Sequence, residues 1–149
     1  MPDPTPLTIT PEIAELVTGA LDGGNAIFVA AVSPDAKPLV SFRGSVAVFG
    51  DQALSFWARN AEGGTVEAIR QNPNVALMYR SSSVPLLQFT GRARIVTEGA
   101  ERDRAFDISH PREQASDADR KGVAVIVELD GIFGVLIKGE GREFVLMKR

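Results

Sequence analysis

The stretch Ile69-Arg70-Gln71-Asn72-Pro73-Asn74-Val75-Ala76-Leu77 decides the fold of this chain. Thr65 to Asn72 has the pattern of a short helix with Val66 and Ile69 facing inward. Pro73 prevents the helix from continuing, because the residue before a proline is pushed out of the helical region. Val75–Arg80 then has the composition of a β-strand. The sequence therefore predicts a short helix that passes almost directly into a strand.

A long strand and a hairpin precede this segment. Pro38 to Phe49 alternates between two faces, and Gly50-Asp51 turns the chain back into a partner strand over Ala53–Arg59. The apolar face of the long strand is expected to face the core, and it consists of Val40, Phe42, Gly44, Val46 and Val48. The opposite face carries three successive polar side chains, which are Ser41, Arg43 and Ser45.

The rest of the chain is also rich in predicted strands. Thr10-Pro11-Glu12 begins a helix over about 11–22, with a capping threonine, a first-turn proline and an acid near the helix start. A surface helix is predicted over Glu98–Ser109, followed by a polar, irregular segment over 110–121. The predicted strands are Ala26–Val32, Pro85–Thr97, Gly122–Leu129, Ile132–Lys138 and a short edge strand over Phe144–Met147, with Asp130-Gly131 turning a hairpin.

These elements predict a mainly β fold with some helix. Six or seven strands follow one another mostly in hairpin order, and no alternation of strand and helix indicates a parallel sheet. We therefore expect a six- to seven-stranded antiparallel barrel, closed or split, with two to three peripheral helices. Residues 1–9 carry three prolines and form an extended lead-in, and residues 10–149 form a single domain.

Composition excludes several kinds of chemistry. The net charge is −3, from 16 Lys+Arg against 19 Asp+Glu, which disfavours nucleic-acid binding. With no cysteine and only His110, thiol catalysis and multi-histidine metal sites within one chain are excluded. Apolar runs are too short for a membrane span, and no signal peptide is evident, so we expect a cytoplasmic protein. No catalytic side chain is assigned, and an enzyme of this composition would depend on a borrowed cofactor.

The order of motifs over 38–80 resembles the FMN-binding split-barrel family typified by pyridoxamine 5'-phosphate oxidase. The motifs are a long strand bearing Arg43, a return strand ending in Phe56-Trp57-Ala58-Arg59, a glycine-rich turn opening a helix, and the Asn-Pro-Asn-Val-Ala-Leu segment. Gln88-Phe89-Thr90-Gly91-Arg92-Ala93-Arg94-Ile95 also looks like the next long strand of that family. The resemblance covers roughly 12–138.

The resemblance implies a homodimer that holds FMN in two equivalent grooves at the subunit interface. It implies contacts to the FMN phosphate from Arg43, with Ser45 on the same face, and from the helix-opening turn of Gly63, Gly64 and Thr65. It places Trp57, Ala58, Arg59 and Asn60 beside the flavin ring. Physical chemistry agrees, because a helix N-terminus binds anions and arginine can form a two-pronged phosphate contact.

The sequence also departs from the family pattern. Val48 and the pair Gly64-Thr65 stand where pyridoxamine 5'-phosphate oxidase carries basic residues, which makes the phosphate site less positive. A glutamine early in the later strand appears as Leu86, unless the register shifts and Gln88 takes its role. The residues that hold pyridoxamine phosphate have no clear counterpart, so that substrate is not predicted.

Three functions follow. The first is an FMN-dependent oxidoreductase that transfers hydride or electrons between NAD(P)H and a small-molecule substrate. The second is an F420-dependent reductase, in which Arg59, Arg80 and Arg92 are candidates for the acidic cofactor tail. The third is a non-catalytic barrel that binds flavin or haem. Outside these sites, His110 is interpreted as structural rather than as an acid–base partner of Asp107, and Asp117 and Asp119 as solvated loop acids.

Overall fold

A computed structural model describes residues 2–149 of the chain. The helices are α1 (Pro11–Gly19), α2 (Gly64–Gln71), α3 (Ala100–Asp107) and α4 (Pro111–Ala115). The strands are β1 (Thr5–Pro6), β2 (Ile27–Val32), β3 (Pro38–Arg43), β4 (Ala47–Gly50), β5 (Ala53–Ala58), β6 (Asn74–Arg80), β7 (Leu86–Val96), β8 (Val123–Lys138) and β9 (Gly141–Lys148). No helix among these residues is long and apolar enough to cross a membrane.

The strands form one sheet in the order β1-β9-β8-β7-β6-β2-β3, and β5 joins β8 to β4. All pairings are antiparallel except that of β1 with β9. The prediction of a mainly β fold with peripheral helices is confirmed. Within residues 2–149 the sheet has nine strands rather than six or seven, and it curls without closing into a barrel.

The predicted signals at the start of α1 and at the end of α2 are present. The Ile13 amide donates to the Thr10 hydroxyl at 3.3 Å, which caps α1. This helix ends at Gly19 rather than at residue 22, because a series of turns that includes the left-handed Gly24 (φ 76°) carries the chain into β2. Helix α2 ends at Gln71, and Pro73 separates it from β6.

The prediction of one long strand over 38–49 is wrong, because the chain bends at Gly44-Ser45-Val46 and continues as β4. The bend resets the alternation of side chains. Val40 and Phe42, which were expected to face the core, are 65% and 67% exposed. In β3 the side chains that face the core are those on the same side as Arg43, which pairs with the buried Ile27. Phe42 lies on the outer face, where it pairs with Phe28.

The predicted hairpin at Asp130-Gly131 is also wrong. Strand β8 runs through it without turning, because β7 pairs with both halves of β8. Asp130 is the additional residue of a β-bulge opposite Thr90 and Gly91, and the Thr90 hydroxyl donates to its carboxylate at 2.6 Å. The turn comes later, after Lys138, and β9 is longer than the predicted edge strand over Phe144–Met147.

Two apolar clusters hold the fold together. The larger lies inside the curled sheet, where Phe56, Phe89 and Leu54 are fully buried. The smaller lies between the other side of β5 and α3, where Trp57 packs against Phe106 with ring centroids 5.0 Å apart. Strand β5 therefore lies between the two clusters.

A third apolar surface is exposed. The strand registers align Phe42, Phe28, Met78, Gln88, Phe133 and Leu146 in one row across six strands. We call this side of the sheet the apolar face and define it by its exposed members Phe28, Val40, Phe42, Phe133 and Phe144. An exposed apolar area of this extent is typical of an interaction surface.

Candidate functional site

A cavity of about 340 Å³ lies between α1, the bend that joins β3 to β4, and the segment that joins α3 to α4. Val17 of α1 and Leu21, in the turn that follows it, line the cavity on one side, and Val46 and Ile108 complete its apolar wall. Arg43, the last residue of β3, supplies a positive charge to this cavity. Arg43, which the sequence predicts to contact a phosphate, therefore lies in a concave, partly apolar site.

The guanidinium group of Arg43 is half-buried and short of counter-charge. Its Cζ lies 5.5 Å from the ring centroid of Phe56, and its Nε donates to the Ser41 hydroxyl at 3.1 Å. Burial lowers the pKa of Arg43, the neighbouring positive charge of Arg59 lowers it further, and Glu113 partly opposes both effects. Within residues 2–149, no carboxylate lies within ion-pair distance of this guanidinium.

Ser45 lies close to Arg43 in sequence, but its hydroxyl is already used. It accepts a hydrogen bond from the Trp57 amide at 2.9 Å and donates one to the Trp57 carbonyl oxygen at 3.1 Å. The side chain is 1% exposed. Ser45 therefore attaches the bend to β5 and offers no free group to a ligand.

The ring of Trp57 lies inside the fold. Its Nε1 donates to Asp117 Oδ2 at 2.7 Å, and the guanidinium of Arg102 lies 4.9 Å from the ring centroid on one side. Trp57 is 3% exposed, and the adjacent Ala58 is 1% exposed. The indole face of Trp57 is therefore closed to a ligand, and the backbone amide and carbonyl of this residue are bonded to Ser45.

Arg59 and Asn60 follow β5 and are exposed. The Asn60 side-chain oxygen accepts from the Glu62 amide at 3.1 Å, and its carbonyl oxygen accepts from the Gly63 amide at 3.0 Å. This turn leads into α2, where Gly63 is the N-cap and provides no side-chain hydrogen bond to the first amides. Gly64 faces open space, because no atom lies within 4 Å of a Cβ built on it.

The structure thus brings together part of the predicted site. Arg43 is close enough to Arg59 for mutual repulsion, and Asn60 is bonded to the turn that carries Gly63, Gly64 and the half-buried Thr65. Gln88 is separate, because it lies on the apolar face between Met78 and Phe133, whereas Arg43 points to the other side of its sheet. Arg80 and Arg92 do not cluster, because Arg80 ends β6, whereas Arg92 of β7 pairs with Asn74 at the start of β6.

Sequence reasoning missed two polar interactions, and the first of them lies at the cavity. His110 Nε2 lies 2.7 Å from Asp22 Oδ1, and its Nδ1 accepts from the Arg112 amide at 3.0 Å, which caps α4 within the segment expected to be irregular. Asp107 pairs instead with Arg120 at 3.1 Å, in agreement with the structural interpretation of His110. The His-Pro pair before a short polar run was the only sequence signal for this cap.

Asp117 is the second interaction that was missed, since it is not a solvated loop acid. Besides the Trp57 indole, it accepts hydrogen bonds from the amides of Lys121 and Gly122 at 3.0 and 2.9 Å. Burial raises the pKa of Asp117, but these three donors and the charge of Arg102 outweigh burial, so its pKa lies below the ordinary value. Among residues 2–149, no group of three or more His, Asp or Glu side chains is placed to hold a metal ion.

The fold and this cavity define a split-barrel protein with a half-buried arginine at the edge of its sheet. Residues 9–131 match the family described as pyridoxamine 5'-phosphate oxidase. The match spans most of the sequence, and the chain belongs to that family. No curated protein sequence matches the chain.

Solved structures agree on the fold. HupZ of Group A Streptococcus is 23% identical, with 85% of this chain and 93% of that chain covered and a TM-score of 0.66. A protein described as an F420 reductase is 24% identical, with 72% and 88% covered and a TM-score of 0.55. A haem-binding protein from Mycobacterium smegmatis is 15% identical, with 92% and 59% covered and a TM-score of 0.62.

Proposed function

We propose that this protein is an FMN-dependent oxidoreductase that acts on a small molecule. One observation carries the proposal: Arg43 is half-buried at a cavity, repelled by Arg59, and has no ion-paired carboxylate within residues 2–149. Two guanidinium groups held in this way are stabilised by an anion between them. Membership of the pyridoxamine 5'-phosphate oxidase family supports a flavin phosphate as that anion.

The residues present fit an FMN phosphate group. Arg43 and Arg59 would supply charge, and the amides at the start of α2 would supply hydrogen bonds, because Gly63 leaves them without a side-chain cap. Gly64 leaves room for close approach of the ligand to the backbone. Bound FMN would supply hydride or electron transfer from NAD(P)H to the substrate, while the chain binds and orients the cofactor.

We propose further that the protein is a homodimer joined through the apolar face. Phe42 and Val40 are the most exposed large apolar side chains of this surface, and Phe42 stacks on Phe28 at 4.4 Å between ring centroids. A twofold partner would remove these rings from water. Gln88 lies on the same face, so such a dimer would place this residue at the interface.

The alternative is F420, and the fold of an F420 reductase supports it. The acidic tail of F420 would need basic residues along its exit. Here Arg59 is the positive charge that acts on Arg43, and Arg80 of β6 and Arg92 of β7 lie at opposite ends of their paired strands. A non-catalytic flavin- or haem-binding barrel is the third possibility, and the fold of the haem-binding protein is consistent with it.

The test is a titration of FMN followed by the quenching of flavin fluorescence. We expect saturation near one FMN per chain, and Arg43→Ala should weaken binding roughly 10- to 100-fold, the range for loss of charge-assisted hydrogen bonds. Arg92→Ala removes the same charge from an exposed strand position and serves as the matched control. No binding at high micromolar FMN, or equal binding by the Arg43→Ala variant, would overturn the proposal. F420 and haem titrated in the same way then separate the alternatives.

A further inference from the structure

We infer that Asp117 is a positioning residue for the anion site: it holds Arg59 in place relative to Arg43 through Trp57 and Gly122. This inference rests on the proposed function. Within residues 2–149, Asp117 has no hydrogen bond or ion pair with either arginine; it lies in the turn between α4 and β8, and its carboxylate accepts hydrogen bonds from Trp57, Lys121 and Gly122. Its effect on a ligand would therefore be exerted entirely through other residues.

The first link is the hydrogen bond from Trp57 Nε1 to Asp117 Oδ2 at 2.7 Å. A bond from a buried indole to a carboxylate is charge-assisted and directional, and it fixes the rotation of the ring. Trp57 lies two residues before Arg59, so the end of β5 cannot shift without breaking this bond. The guanidinium of Arg102, in α3, packs over the same indole ring.

The second link is a close approach of two backbone segments. Gly122 donates to Asp117 Oδ2 at 2.9 Å and lies directly against β5. A Cβ at this position would collide with the Ala58 carbonyl oxygen and would lie 2.9 Å from Arg59 Cα. Only glycine permits this distance, so Asp117 fixes a backbone contact with the residue that carries the second positive charge.

The third link is on the opposite side of Trp57. There the Ser45 hydroxyl bonds to both the amide and the carbonyl oxygen of Trp57. Ser45 lies two residues after Arg43, in the bend that lines the cavity. Trp57 is thus held at its backbone by the segment that carries Arg43 and at its indole by Asp117. Arg59 lies two residues after Trp57. The separation of the backbone segments that carry the two arginines depends on this chain of contacts.

Charge and position make opposite predictions, which allows a sharp test. Asp117→Asn removes one negative charge near a site for an anion, and electrostatics alone would tighten FMN binding. In the positioning role, the amide of asparagine replaces one acceptor by a donor, so the three donors are no longer all satisfied. The end of β5 then loosens and FMN binding weakens. Asp119→Asn removes the same charge from an exposed neighbouring position and is the matched control.

The experiment measures the FMN dissociation constant of wild type, D117N and D119N between roughly 20 and 500 mM NaCl, a range over which exposed charge interactions become screened. We expect D117N to weaken binding at least fivefold at low salt and to show a shallower salt dependence, because a misplaced arginine contributes less to the phosphate contact. D119N should match wild type or bind slightly more tightly. Circular dichroism checks that each variant is folded.

Each outcome has a distinct meaning. Absence of FMN binding by wild type would defeat the proposed function and this inference with it. Binding by wild type that D117N leaves unchanged or tightens would overturn the inference alone. Weakened binding with the wild-type salt dependence would assign Asp117 a structural role only. If D117N does not fold, Asp117→Glu keeps the charge, displaces the carboxylate by one methylene, and is expected to show the same weaker, less salt-dependent binding.

Discussion

The Ser45 side chain and the Trp57 backbone form a closed pair of hydrogen bonds, with the hydroxyl donating at 3.1 Å to the carbonyl oxygen and accepting at 2.9 Å from the amide. Both residues are almost completely buried, so neither bond can be replaced by water. The pair joins the bend after β3 to β5. Arg43 lies two residues before Ser45 and Arg59 two residues after Trp57, and these arginines are the two positive charges of the candidate site.

Ser45→Ala should destabilise the protein by about 1–3 kcal/mol, because it leaves a buried amide and a buried carbonyl group without this partner. Ser55→Ala provides a matched control, since Ser55 is also fully buried but its hydroxyl has no hydrogen-bond partner within the described chain. We expect no loss of stability there, or a small gain. Denaturant unfolding of both variants measures the difference, and equal losses would contradict the role assigned to Ser45.

Glu113→Gln should tighten the binding of FMN several-fold at low ionic strength. Its carboxylate lies against the bend, since a Cβ on Gly44 would lie 2.5 Å from Glu113 Oε1, and its charge partly neutralises Arg43. Removing that charge leaves Arg43 more positive toward a phosphate. Fluorescence titration measures the change, and the exposed Glu140→Gln is the control. Weaker binding would show that Glu113 assists rather than opposes the ligand.

The stability contributed by Asp117 should depend on pH. Its pKa in the folded chain lies below the ordinary value of 3.8, so its contribution is present above that value and is lost as pH falls through the folded pKa. The difference in unfolding free energy between wild type and Asp117→Asn should therefore be constant from about pH 7 to 5 and shrink below about pH 4. Thermal melts at a series of pH values test this, and a pH-independent difference would disagree with the lowered pKa.

Phe42→Asp should convert the proposed dimer into a monomer, because it places a charge at the centre of an apolar contact. Phe42 is 67% exposed and contributes nothing to the core, so the fold of the single chain should survive. Sedimentation velocity of wild type and variant gives the answer, with Gln71→Asp at an exposed position of α2 as the control. A wild-type monomer, or a variant that remains a dimer, would remove the apolar face as the interface.

Local sequence signals predicted the elements that depend on local physics. Thr10-Pro11 and Asn72-Pro73 set the start of α1 and the end of α2 through capping and the missing proline amide. Family resemblance supplied the fold. The prediction of a hairpin turn at Asp130-Gly131 was wrong because a β-bulge and a hairpin turn use the same residue types. Only the pairing of β7 along the whole of β8 distinguishes the two.

The candidate site was predictable only in part, because contacts between distant parts of the chain leave no local sequence signal. Arg43 was predicted as a site residue from the alternation of polar residues and the family resemblance, and it lines the cavity. Asp117 was missed because its partner Trp57 is 60 residues away, and no periodicity in the sequence links them. The position of Gln88 on the opposite face follows from strand register, which a single sequence does not reveal.

The sixteen residues of β8 pair with β5, β7 and β9. During synthesis, the hairpin of β4 and β5 therefore has no sheet to join until this strand leaves the ribosome. Before that point the nascent chain leaves unpaired the edges of β5 and β7 that β8 later joins. Such late, long-range pairing slows folding and prolongs the exposure of aggregation-prone strands. Chaperone demand during translation should consequently be highest just before β8 emerges.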